Sequence, residues 1–117
     1  MRNCPSALEG ATTRLTNTAD GVDLEITASA PAIQKEIVDL ARLHERMGPP
    51  NASEVEHTGR HGGPGNIGHC PIIHTGTTVT FDRLARGAVI HVVAMAPEDV
   101  LRVQTTVADR VARLAAR

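Results

Sequence analysis

Two cysteines and a cluster of histidines are the side chains with most chemistry to offer in this sequence. Cys4 and Cys70 are each followed by proline and each precede a Gly-x-Thr, at Gly10 and at Gly76. Cys70 has His69 before it and His74 after it, and His57 and His61 lie upstream in a glycine-rich stretch. Thiolate and imidazole together form a donor set for a soft or borderline transition metal, copper or zinc. The expectation is a metal site with Cys70 at its centre, assisted by His69 or His74. Cys4 joins if the fold brings it close, and His57 and His61 complete the coordination sphere. Pro71 can open a single turn that puts Cys70 and His74 on one side. The chain has no Cys-x-x-Cys and no His-Glu-x-x-His, so donor density rather than spacing carries this expectation.

His44 and Met47 form a second, separate candidate metal pair. They fall three apart on the apolar stripe of a predicted helix, and imidazole with thioether is a donor pair suited to copper(I). The competing roles are structural: Met47 as core filler and His44 as a satisfied ring near the helix end. The cysteines have structural alternatives too. A Cys4–Cys70 disulfide would contribute about 2–4 kcal/mol in an oxidising compartment, and two buried thiols with no task are the remaining option.

Catalysis is not expected. Cys70 with His69 or His74 could form a nucleophile–base pair, but no orienting acid or oxyanion loop accompanies it, and Pro71 removes a nearby backbone donor. There is no Walker loop, and "GGPGNIG" follows a loop rather than a strand. The pairs Cys4-Pro5 and Cys70-Pro71 resemble the short heme-regulatory motif, in which a Cys-Pro thiolate is an axial ligand and a histidine supplies the other. That resemblance implies heme binding as a variant of the metal hypothesis. Phe81, the single aromatic residue, offers little against which to stack a porphyrin.

Composition narrows the partners. The 117 residues are 41% hydrophobic with a formal charge of −1, which fits one soluble domain, residues 1–117, with a modest core. Basic side chains are matched by acids along the same segments, and aromatic stacking platforms are lacking, so nucleic acid is not expected as a partner. No apolar run approaches the roughly 20 residues of a membrane span. "MRNCPSALEG" lacks the features of an export signal. The expected location is therefore cytoplasmic, or exported or periplasmic if a signal peptide has been trimmed.

These residues are positioned by an apparent internal repeat. With a shift of 66 residues, Cys4, Pro5, Gly10, Thr12, Ala19, Gly21, Ala28, Ala30 and Pro31 fall on identical residues from Cys70 to Pro97. Each copy reads as strand, turn, strand, helix. In the first, Val22, Leu24, Ile26 and Ala28 alternate onto one face after a turn at Gly21, and Ile33, Ile37, Leu40, Ala41 and His44 recur at helical spacing from Pro31. The second repeats this with Val79, Phe81, Ile90 and Val92, a turn at Arg86-Gly87, and a helix from about Pro97 carrying Val100, Val103, Val107, Val111 and Leu114. The predicted fold is α+β, a duplicated ββα-ββα with a four-stranded antiparallel sheet and two helices on one face. Its parts are a first repeat at about 4–48, a His/Gly-rich loop at 49–69 and a second repeat at about 70–117. The loop has eight Gly or Pro in 21 residues, too many breakers for a helix or central strand.

Val89, His91, Val93 and Met95 alternate away from the predicted core, where the first copy has Asp23, Glu25, Thr27 and Ser29. An apolar outer strand face in one repeat only is the pattern of a surface covered by a second copy. It makes a homodimer the expected protein partner.

Overall fold

Alternating apolar residues build the strands, and the structure, a computed structural model, describes residues 3–47 and 70–116. Strand β1 (Ala11–Asn17) runs into β2 (Gly21–Ala28) through a tight turn closed by the Thr18 N–H donating to the Gly21 carbonyl at 2.9 Å. Helix α1 (Pro31–Arg46) follows. After the residues left undescribed come β3 (Thr77–Leu84), β4 (Gly87–Ala94), a short 3-10 turn at Pro97–Asp99 and helix α2 (Val100–Ala115). The strands form one antiparallel sheet in the order β1-β2-β4-β3, so the protein is an α+β domain with a four-stranded antiparallel sheet and two helices.

The central pairing is β2 with β4, and Leu24 stands opposite Ile90 at its midpoint. Val22, Leu24, Ile26, Ile90 and Val92 are wholly buried, as the alternation predicts, and β3 adds Val79. Helix α1 packs over β2, β3 and β4 through Ile37, Val38 and Ala41; α2 packs over β1, β2 and β4 through Val103 and Val107. Each buried Leu or Ile of this cluster contributes about 1.5–3 kcal/mol relative to an exposed position. Leu15, Ile33, Phe81 and Val111 are half-buried and border the core rather than fill it.

Two features differ from the sequence expectation. The stretch 70–76 is core as well as connection: Ile72 and Ile73 are buried although the segment is neither helix nor strand. Gly21 and Gly87 do not supply positive φ angles to the hairpin turns, which among the described residues belong to Gly10 (φ +92°) and Gly76 (φ +69°). Their role is close approach. A side chain on Gly21 would collide with the Val92 carbonyl, and one on Gly87 with the Ile26 carbonyl, so glycine is required for β2 and β4 to pair at both ends.

Gly21→Ala and Gly87→Ala should therefore each lower the unfolding free energy by about 3 kcal/mol, since the obstacle is backbone. Gly10→Ala, whose Cβ meets nothing within 4 Å, should cost only about 1 kcal/mol for its left-handed φ. Urea denaturation checks this, and equal losses at the three sites would contradict the close-approach account.

Candidate functional site

Cys4 leads into the 3-10 turn Pro5–Ala7 with an extended backbone, which Pro5 favours at the residue before it. The Ala7 N–H donates to the Cys4 carbonyl at 3.1 Å, and the side chain of Cys70 adjoins that of Cys4. Cys70 opens the 70–76 stretch, and its carbonyl accepts from Arg110 Nη1 of α2 at 3.0 Å. Both cysteines are free and buried. The neighbouring Cys70 side chain holds the Cys4 thiol below the ordinary thiol value, against the opposing effect of burial and with help from nearby backbone N–H groups. Cys70 is pushed the other way, first by burial and then by serving as donor to Cys4. The two thiols are thus pushed in opposite directions by their mutual contact and burial.

A second buried pair lies one turn from the end of α1. His44 is 1% exposed and His74 is 2% exposed. The Asn3 carbonyl can only accept, so His44 donates to it through Nε2 at 2.7 Å. In the neutral ring this leaves His44 Nδ1 as the acceptor for Nε2–H of His74, at 3.0 Å. The two rings are nearly parallel, 8° apart, with centroids separated by 5.3 Å. The 70–76 stretch is secured from the far side, where Thr77 Oγ1 donates to the Ile73 carbonyl at 2.6 Å.

The fold therefore joins what sequence treats as two sites. Cys4 meets Cys70, and His44 of the second candidate pair meets His74 of the first. The single turn expected after Pro71 does not form; Cys70 and His74 lie in non-helical backbone, and their partners come from other segments. Met47 caps α1, its N–H donating to the His44 carbonyl at 3.3 Å, and its side chain is half-buried. His57, His61 and His69 lie outside the described residues. Among the described residues, no group of three or more His, Cys, Asp or Glu is arranged to hold a metal ion. The residues present that could hold one are the two thiols, with an imidazole available only if His44 and His74 release each other.

The outer face of β4 does carry Val89, His91 and Val93, but carboxylates crowd it. His91 stands opposite Asp23, and its Nδ1 bonds Asp23 Oδ1 at 2.7 Å, while its Nε2 bonds Asp82 Oδ2 at 2.9 Å. Val89 sits between Glu25 and Asp82 in the register. Met95 is 64% exposed at the strand end. Sequence reasoning missed this carboxylate–imidazole–carboxylate bridge, although pairing Leu24 with Ile90 would have put Asp23 opposite His91.

Comparison with protein-family models, curated proteins and solved structures finds no match to this chain.

His91 yields a pH prediction. Partial burial disfavours its charge, yet the bonds from Asp23 and Asp82 together outweigh that cost and raise its pKa above the ordinary imidazole value. A raised folded-state pKa gives stability that is fully present below the unfolded value of about 6.5 and is lost as pH rises through the higher folded value. His91→Gln should flatten that decline in a series of urea midpoints taken upward from about pH 6. A wild-type profile and a variant profile with the same slope would refute the assignment.

Proposed function

We propose that this domain binds a soft transition-metal ion through the thiolates of Cys4 and Cys70, in metal sequestration, delivery or sensing. The observation that carries the reading is the adjacency of two buried, free thiols contributed by chain segments far apart in sequence. Two adjacent sulfurs suit copper(I), which prefers thiolate donors. Zinc favours four ligands, and the two imidazoles it would need here are bonded to one another. Copper(I) is therefore the better fit, held by the two thiolates with His74 in a supporting position close by. Heme is less favoured, because thiols that face each other inside the protein suit a single ion better than a porphyrin.

A duplicated ββα-ββα origin belongs to the same proposal, with helices sharing one sheet face. Several pairs of observations support it at the 66-residue shift. Gly10 and Gly76 both have positive φ, and Gly21 and Gly87 both permit close approach. The Ala94 N–H donates to the Asp20 carbonyl at 2.8 Å, and the Ala28 N–H to the Arg86 carbonyl at 3.0 Å. Leu24 and Ile90, equivalent in the two copies, face each other. Each is what a twofold axis through the centre of the sheet would produce. On this reading Cys4 and Cys70 meet because they are equivalent residues.

The contact between the cysteines also favours a second reading, a metal-free interaction module braced by a Cys4–Cys70 disulfide and dimerising through Val89, Val93 and Met95. Intact mass under non-reducing conditions separates the two, since the disulfide form lacks two hydrogens.

Competition of reduced protein against a chromophoric copper(I) chelator tests the main reading. Wild type should take one equivalent, and Cys4→Ser and Cys70→Ser should each weaken binding by about 100-fold or more. His74→Ala should weaken it by roughly tenfold, the scale of a supporting group. Affinity should fall with pH, because coordination displaces protons. Equal binding by wild type and both serine variants would overturn the proposal.

A further inference from the structure

Toward the other end of α1 from His44, a half-open groove of about 470 Å³ runs between the helix and the β3–β4 hairpin. Its lining includes Lys35, Arg42 and Arg83 but a single carboxylate, Asp39. We propose that this groove is a binding site for a small ligand bearing an oxyanion group, a phosphate or a carboxylate, gripped by Arg83 and Arg42 with Lys35 at the rim.

The charges converge. Lys35 Nζ lies 2.7 Å from Asp39 Oδ2 and Arg42 Nη1 lies 3.7 Å from Asp39 Oδ1. Asp39 also senses Arg83, and these cations hold its carboxyl below the usual carboxylate range, the Lys35 bond first. One acid cannot neutralise three bases, and Arg83 makes no ion pair among the described residues. An anion entering the groove supplies the missing charge, and guanidinium forks match the paired oxygens of phosphate and carboxylate.

The walls are already in place. The Arg42 guanidinium lies over the Phe81 ring, 5.9 Å from its centroid, so part of its ordering cost is met before a ligand arrives. The hairpin tip is tied to β2 by the Ala28 N–H, which donates to the Arg86 carbonyl. Gln34 Nε2 donates to the Ala28 carbonyl at 2.7 Å, fixing the helix against the same strand end. Pro31, the first residue of α1, also lines the groove. The first helical turn carries no acidic residue and Ala30 gives no side-chain cap, so the positive helix end adds to the field of the cations. A volume of 470 Å³ lies in the range of small-molecule pockets, roughly 300–1,000 Å³.

The test is a two-dimensional amide NMR titration with inorganic phosphate and, separately, with succinate, at ionic strength held constant with chloride. At least one probe should give saturable shifts centred on Gln34, Ala85 and Gly87; which probe saturates identifies the anion class. Arg83→Gln and Arg42→Gln should each weaken that binding by roughly tenfold, the scale of one charge-assisted hydrogen bond. Arg113→Gln on α2 should leave it unchanged. Retained peak dispersion in each variant shows that it is folded. Shifts that fail to saturate with either anion, or that survive Arg83→Gln and Arg42→Gln at full affinity, would overturn the proposal.

Discussion

Imidazole and thiol groups that leave water must find partners inside the protein, and this constraint shapes the joint between Asn3–Cys4, the last turn of α1 and the 70–74 stretch. His44 reaches the Asn3 carbonyl with one nitrogen and His74 with the other. The Cys4 carbonyl accepts from the Ala7 amide, and its thiol lies against that of Cys70. Leaving any one of these groups unpaired costs about 1–3 kcal/mol, so the bonds must form together or the joint opens. The pieces joined here are irregular backbone at both ends, which no helix or sheet ladder would hold. Their fixed position depends on these polar bonds and on Ile72 and Ile73, buried between the thiol and imidazole of the same stretch.

That arrangement has a chemical consequence. Two buried thiols in contact carry soft donor atoms that can take a soft ion or be oxidised to a disulfide, the two readings proposed above. Two non-polar residues of similar size would fill the space without demanding partners. The groove along α1 is the counterpart in hard chemistry: exposed guanidinium and ammonium groups around a single carboxylate suit an oxyanion. The two features use opposite ends of one helix and need not act on the same ligand.

Much of the fold was legible where periodicity is strict. Val22, Leu24 and Ile26 alternate cleanly and are buried; Ile37 and Ala41 recur at helical spacing and pack inward. Ile72 and Ile73 were not legible as core, because an irregular segment has no period and its neighbours are breakers. The candidate ligands were legible by residue type, since Cys4, Cys70, His44 and His74 could all be picked out. Their grouping was legible in part: the repeat put Cys4 and Cys70 at equivalent positions and left their meeting open, whereas spacing suggested Cys70 with His74 and His44 with Met47, and tertiary contact instead pairs His44 with His74. His91 shows the same limit. Its outward orientation follows from alternation, but the carboxylates that convert an apolar strip into a charged bridge come from β2 and β3, and only the strand register reveals them.

Whether Cys4 and Cys70 together bind a soft metal ion is read at the metal itself by X-ray absorption at the copper K-edge of protein loaded with one equivalent of copper(I). Binding by both cysteines gives a first shell containing two sulfur scatterers, with both lost when the loaded protein carries Cys4→Ser and Cys70→Ser. A first shell of nitrogen and oxygen alone in the wild-type protein would contradict it.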